Sequence, residues 1–167
     1  VVLGFVYSGL FNLEPGTLRL PSVLGRIGLA WMFAALLFIN FRVRTRILIA
    51  AAILVGYGLL LQFVAAPDAG GAGPLTLEGN IVGYVDRMIM PSHLLGGKGF
   101  DPEGLLSTLP AIVTAMLGMF TGEFVRRSEQ QTSGSRKALW MAAGAVVLLA
   151  AALCLDAVQP INKKLWT

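Results

Sequence analysis

The sequence predicts an all-α integral membrane protein, a bundle of helices that cross the bilayer several times. Of its 167 residues, 56% are hydrophobic and only 13% are charged, whereas soluble domains carry about 25% charged residues. The apolar residues also form uninterrupted runs of about 20, the length that a helix needs to span a bilayer. These two observations exclude an ordinary soluble domain.

Four apolar runs are long enough to form complete transmembrane helices, and a shorter one opens the chain. They cover residues 22–41, 47–65, 105–125 and 138–156, with a partial span at 1–11. The chain opens in mid-run without an initiator Met or a signal-peptide pattern, so we expect a fragment of a longer protein. Ser22 is expected to cap the first complete helix, and Pro110, about two turns into the third, to kink it.

The net charge of +4 does not indicate nucleic-acid binding. The basic residues lie at the ends of apolar runs, where they orient a chain in a bilayer. The single cysteine, Cys154, lies inside an apolar run, so neither a disulfide framework nor a cysteine-based metal site is expected. Residues 67–74, rich in glycine, lack the context of a phosphate-binding loop and are interpreted as a linker. The expected partner is membrane lipid rather than nucleic acid.

Charge also predicts the orientation of the chain. The short loops 42–46 and 126–137 hold seven of the 13 basic residues, namely Arg42, Arg44, Arg46, Arg126, Arg127, Arg136 and Lys137. Because loops rich in Lys and Arg stay in the cytoplasm, the long loop 66–104 is predicted to face the periplasm or an organelle lumen. We call residues 66–104 the outer loop.

The outer loop carries most of the ionisable side chains that could take part in chemistry. Asp101 and Glu103 flank a proline just before an apolar run, a pattern typical of a helix start. Two interpretations stay open: the pair only caps the helix, or it supplies a general base or orients an imidazole. The sequence alone does not decide between them.

Other candidates also have a structural and a functional interpretation. Arg26 is either an interfacial arginine that extends toward the headgroups or an anion-binding group inside the bundle. Asp86 and Arg87 are adjacent and therefore point in different directions, so each is expected to form a salt bridge with another partner. His93, the only histidine, is either interfacial or part of a binding site.

Four blocks of the sequence are similar to a known family. They are VLGRIGLAW (23–31), NIVGYVDRMIMPSHLL (80–95), FDPEGLLSTLPAIVTAMLGMFTGE (100–123) and PINKKLW (160–166). In order and spacing they resemble the heparan-alpha-glucosaminide N-acetyltransferase family and its bacterial relatives. The Asp-Pro-Glu-Gly block and the block that begins at Asn80 are the specific parts.

The resemblance implies a bacterial inner-membrane acyltransferase that takes acetyl-CoA from the cytoplasmic side and acetylates a glucosamine-type amine on the far side. Arg26 matches an arginine of the family, and Asp101 and Glu103 match its acidic pair, which we predict to be catalytic. The histidine regarded as catalytic in the family belongs to a region that this sequence does not contain. His93 therefore does not inherit that role, and the fragment is expected to be inactive alone.

The predicted substrate-binding residues are Arg26, Asn80, Asp86, Arg87 and His93. Two rival interpretations remain, a sugar transporter in which Pro110 breaks a helix and a purely structural scaffold. The acceptor sugar and the oligomeric state are open, although small-residue faces favour association into homo-oligomers.

Overall fold

The computed structural model describes residues 21–68, 70–90, 101–126 and 133–156. These ranges contain five helices, which we name in chain order α1 (Val23–Asn40), α2 (Val43–Phe63), α3 (Ile81–Ile89), α4 (Thr108–Val125) and α5 (Gly134–Asp156). All except α3 are long and apolar enough to cross a membrane. The predicted all-α membrane fold is confirmed for this part of the chain, and the partial span at 1–11 lies outside it.

Helices α1 and α2 form a tight hairpin. Ser22 caps α1 as predicted, because its Oγ accepts a hydrogen bond from the Gly25 N–H at 3.1 Å. Helix α2 begins at Val43, four residues before the predicted span, so most of the 42–46 loop is helical. Arg46 donates from Nε to the Phe41 carbonyl at 2.7 Å and from Nη2 to the Phe38 carbonyl. This cation satisfies carbonyls at the C-terminal end of α1.

The outer loop contains a helix, α3, that the sequence analysis did not predict. Asn80 caps it, accepting a hydrogen bond on Oδ1 from the Gly83 N–H at 2.6 Å. The segment between α2 and α3 is closed by an isolated antiparallel bridge between Ala65 and Asn80. A loop that closes on itself in this way returns the chain to α2, so that α3 contacts α2.

Helix α4 begins later than predicted, and this changes the role of its proline. The helix starts at Thr108, so Pro110 is its third residue and not a residue two turns in. The first N–H groups of a helix have no partner within it, and a proline there removes no hydrogen bond. The prediction that Pro110 kinks the helix therefore depended on a wrong position for the start of the helix.

The described chain divides into two compact units at the junction of Ala115 and Met116. The core of the first unit is formed by Tyr57, Leu61 and Val82, packed against partly buried Leu75, Ile81 and Leu106. It joins α2, α3 and the segment before α4. A cluster of this kind positions the polar side chains described below.

The second unit contains the rest of α4 and helix α5. Lys137, near the start of α5, donates from Nζ to the Val125 carbonyl at 3.0 Å. This bond satisfies a carbonyl at the C-terminal end of α4. No residue of α5 is buried.

Candidate functional site

The segment that carries the predicted acidic pair forms a compact turn, residues 101–107, which we call the acidic turn. Asp101 does not cap a helix as predicted, because α4 begins seven residues later. Its Oδ1 accepts the Glu103 N–H at 3.0 Å, and its carbonyl accepts the Gly104 N–H at 3.1 Å. Ser107 Oγ donates to the Pro102 and Gly104 carbonyls at 3.1 and 2.9 Å. The prediction of a helix start at Asp101 is therefore wrong, since its carboxylate closes a turn instead.

Arg26 of α1 binds this turn through its guanidinium. Nη1 donates to the Pro102 carbonyl at 3.2 Å, and Nη2 donates to the Ser107 carbonyl at 2.9 Å. The two acceptors lie at opposite ends of the turn, so one planar side chain fixes both ends. Arg26 thus points into the protein and holds backbone.

Asp86 of α3 binds the same turn from another side. Its side chain is 0% exposed, and Oδ1 accepts the Leu105 N–H at 3.0 Å. Oδ2 is buried and has no hydrogen-bond partner among the described residues. A Cβ atom at position 104 would overlap this carboxylate. Only glycine lets the turn approach Asp86 so closely.

The surroundings of Asp86 favour its protonated form. Burial away from water raises the pKa of this carboxyl to about 6, and the nearby charge of Asp101 adds to the effect. The hydrogen bond from Leu105 and the charge of Arg87 act in the opposite direction. Removal from water is the largest cause. Asp86 therefore changes its charge close to neutral pH.

Tyr57 joins this group of polar side chains from α2. It is 3% exposed, and its hydroxyl interacts electrostatically with Arg26 and Asp86. Sequence reasoning missed Tyr57 because it lies in a span without charge, and it missed Gly104 because a single glycine carries no signal. Tyr57 is a polar side chain buried inside a membrane-spanning helix, and this feature makes it a candidate functional residue.

A small pocket lies beside the acidic turn. Its volume is about 250 Å³, and its lining is mostly apolar, with two charged side chains, Arg26 and Glu103. The turn supplies Glu103, Gly104 and Leu105 to one wall, and α1 supplies Gly25 and Leu29 to another. Glu103 is half-buried, whereas Asp101 is 0% exposed. Of the two predicted catalytic carboxylates, Glu103 is the one that lines the pocket.

The other predicted site residues lie elsewhere. Asn80 is fully buried, and its Nδ2 donates to the Thr76 and Leu77 carbonyls at 3.0 and 2.7 Å. Its amide therefore closes the loop and caps α3. His93 lies outside the described residues, so its place in a site stays a prediction.

Arg87 forms the salt bridge that the sequence predicted. Its Nε and Nη2 donate to the two carboxylate oxygens of Asp68 at 3.0 and 2.8 Å. The hydrogen bonds from Arg87 hold the pKa of this exposed carboxyl below its usual range. Asp86, its neighbour in sequence, points into the protein, as expected for adjacent residues on a helix. It accepts a backbone N–H and has no salt bridge among the described residues, so the salt bridge predicted for Asp86 is wrong there.

Among the residues that the structure describes, no group of three or more His, Cys, Asp or Glu side chains could hold a metal ion. Cys154 is exposed on α5. The ionisable side chains at and around the acidic turn are the carboxylates of Asp86, Asp101 and Glu103, the guanidinium of Arg26 and the phenol of Tyr57.

No family model matches the chain. It is 30% identical over 117 residues to the heparan-alpha-glucosaminide N-acetyltransferase of Mus musculus, an alignment that covers 59% of this chain. The chain spans 18% of the length of that relative. The four long apolar helices indicate an integral membrane protein. The chain is a distant and partial homologue of heparan-alpha-glucosaminide N-acetyltransferase.

Proposed function

We propose that the full-length protein is a transmembrane acyltransferase that moves an acetyl group from acetyl-CoA to the amine of a glucosamine-type sugar. The observation that carries this proposal is the similarity to a protein named as an N-acetyltransferase.

The reaction sets clear chemical requirements. The acceptor must lose a proton from its ammonium group, its nitrogen must form a bond to the thioester carbonyl carbon, and the carbon–sulfur bond must break. The thiol leaves with one proton, and the second proton passes to a base. Glu103 is suited to hold the ammonium group and accept that proton, because it is a half-buried acidic residue that lines the pocket. Asp101 supports it through the turn, since its Oδ1 binds the Glu103 N–H.

The pocket suits only one end of acetyl-CoA. Its volume of about 250 Å³ is below the ~300–1,000 Å³ of pockets that enclose a drug-sized ligand. Its apolar lining fits the acetyl group and the thioester beside it. Arg26 already donates to two carbonyls of the acidic turn, so it suits a role in shaping the pocket better than one in binding a phosphate. Acetyl-CoA supplies the activated acetyl group.

We place the protein in the bacterial inner membrane, with loops 42–46 and 126–137 in the cytoplasm and the outer loop in the periplasm. Its partners are then membrane lipid and an amino-sugar acceptor, and it could also form homo-oligomers. In a cysteine-free background, Glu78→Cys is expected to react with a membrane-impermeant maleimide on intact cells. Ser133→Cys is expected to react only after permeabilisation. The reverse pattern would refute this orientation.

One of the two features that supported the rival transporter interpretation, beside the ionisable outer loop, does not hold. It used Pro110 as the mark of a broken helix, but Pro110 lies in the first turn of α4, where proline fits without a break. The two functions make opposite predictions for a single assay.

The test uses the full-length protein in proteoliposomes with acetyl-CoA labelled on the acetyl group and glucosamine on the opposite side. The proposal predicts labelled N-acetylglucosamine that accumulates with consumption of acetyl-CoA. Sugar flux without consumption of acetyl-CoA would contradict it and support a transporter. If neither sugar flux nor acetylation is observed, the result would support the interpretation as a structural scaffold.

A further inference from the structure

Asp86 is as fully buried as Asp101, although it was not predicted to be catalytic. It is 0% exposed, one oxygen binds the Leu105 N–H, and the other lies against Gly104. A buried carboxylate is costly unless a hydrogen bond or a nearby cation compensates it. An apolar side chain could fill the same space without that cost. The position therefore indicates a use for the charge.

We propose that Asp86 is a positioning residue, whose ionised carboxylate holds the acidic turn so that Glu103 lies at the pocket. The carboxylate binds the turn at Leu105, two residues after Glu103. Arg26 binds the same turn at the carbonyls of Pro102 and Ser107. The segment that carries Glu103 is thus held by an anion on one helix and a cation on another.

Ionisation matters because an N–H binds a carboxylate more strongly than it binds the carbonyl oxygen of a neutral acid. When Asp86 takes up a proton, the hydrogen bond that it accepts from the Leu105 N–H weakens. The second oxygen, Oδ2, is buried and has no hydrogen-bond partner among the described residues, so the bond from Leu105 is the contact that depends on the charge. The acidic turn is therefore expected to loosen as the pH falls.

The groups that face Asp86 come from three elements. Asp101 acts on it from the acidic turn, Tyr57 of α2 interacts with it, and Arg87 is its neighbour on α3. Burial raises the pKa of Asp86 to about 6, which places the transition within a range that an experiment can reach.

The first measurement is hydrogen–deuterium exchange of the segment 101–107 in full-length protein in nanodiscs, corrected for intrinsic exchange. Wild-type protection is expected to fall about tenfold between pH 7 and pH 5, following the ionised fraction of a group with a pKa near 6. In Asp86→Asn this step is expected to disappear. Glu78→Gln, which removes an exposed carboxylate outside these contacts, is the matched control and is expected to keep the step.

The second measurement is the pH profile of acetyl transfer, which rests on the proposed function. Wild-type activity is expected to show a loss with an apparent pKa near 6, and Asp86→Asn to lack that transition. A wild-type turn whose protection does not depend on pH, or a step that survives in Asp86→Asn, would overturn the inference. The wild-type profile remains decisive if the variant does not fold.

The two proposals fail in different ways. Absence of acetyl transfer at every pH, with the protection step present, would overturn the acyltransferase proposal and the catalytic use of the turn. Acetyl transfer without a protection step would overturn the role of Asp86 alone.

Discussion

The first unit buries charged side chains, whereas α5 in the second unit buries no residue at all. Asp86 and Asp101 are fully buried in the first unit. Helix α5 exposes large apolar side chains along its length, including Trp140, Val146 and Leu153. An exposed apolar surface of this kind is suited to lipid or to further helices. The difference shows that polar contacts within this chain hold the first unit, whereas the apolar side chains of α5 are not covered by the described part of the chain.

This contrast can be tested with one substitution placed in both regions. Gly104→Ala forces a Cβ atom into the carboxylate of Asp86, and overpacking typically costs about 1–3 kcal/mol of unfolding free energy, occasionally more. We expect a loss at or above the upper end of that range. Gly144→Ala in α5 meets no atom within 4 Å and is expected to be neutral or to stabilise the helix by roughly 0.5–1 kcal/mol.

Thermal unfolding in detergent measures both glycine variants. Equal effects at positions 104 and 144 would show that the close approach to Asp86 does not constrain the turn. A folded Gly104→Ala variant should also show faster hydrogen exchange in the acidic turn.

The second largest effect is expected at the arginines. Arg26→Ala removes two charge-assisted hydrogen bonds to the acidic turn, and such bonds contribute about 1.5–3 kcal/mol. The matched variant Arg136→Ala changes an exposed arginine of α5 and is expected to stay within about 0.5 kcal/mol. Chemical unfolding in a mild detergent would measure the pair. An Arg26→Ala variant as stable as wild type would contradict a stabilising role of the guanidinium in the acidic turn.

The pH dependence of stability gives a smaller effect with a defined sign. The pKa of Asp86 is raised to about 6 in the folded protein, above the ordinary value of about 3.9. Folding therefore favours the protonated form, and this stability is fully present below about pH 3.9 and is lost as the pH rises through about 6. Between pH 5 and pH 8 the loss amounts to roughly 1–1.5 kcal/mol.

The difference in stability between wild type and Asp86→Asn should therefore shrink or reverse along that pH range. Thermal unfolding of both proteins at several pH values measures it. A difference that does not change with pH would contradict the burial of an ionisable Asp86. As the pH rises, the unfolding free energy is expected to fall, whereas the hydrogen bond from the Leu105 N–H to Asp86 is expected to strengthen. The opposite signs distinguish the global effect from the local one.

The sequence predicted the helices that composition alone determines. The spans around α1, α2, α4 and α5 follow from long apolar runs, and the cap at Ser22 follows from its position before the first. Boundaries were less accurate, because Arg44 and Arg46 are charged yet lie inside α2. Helix α3 was missed, since nine residues between glycine- and proline-rich segments are too few for a clear periodic signal.

The candidate site was only partly predictable. Asp101 and Glu103 were identified, but the sequence could not show that one closes a turn while the other lines a pocket. That difference depends on Arg26 and Asp86, which bind the turn across long separations in the chain. Contacts between distant residues leave no pattern in a single sequence. Tyr57 and Gly104 become informative only when the fold brings them to Asp86.

The most direct test of the account is the rate of acetyl transfer in full-length protein with Glu103→Gln, compared with the exposed matched control Glu78→Gln. If Glu103 accepts the proton of the acceptor amine, the Gln variant should lose about 10²–10⁴-fold in rate, while Glu78→Gln should keep the wild-type rate. Undiminished acetylation by a folded Glu103→Gln variant would contradict the account.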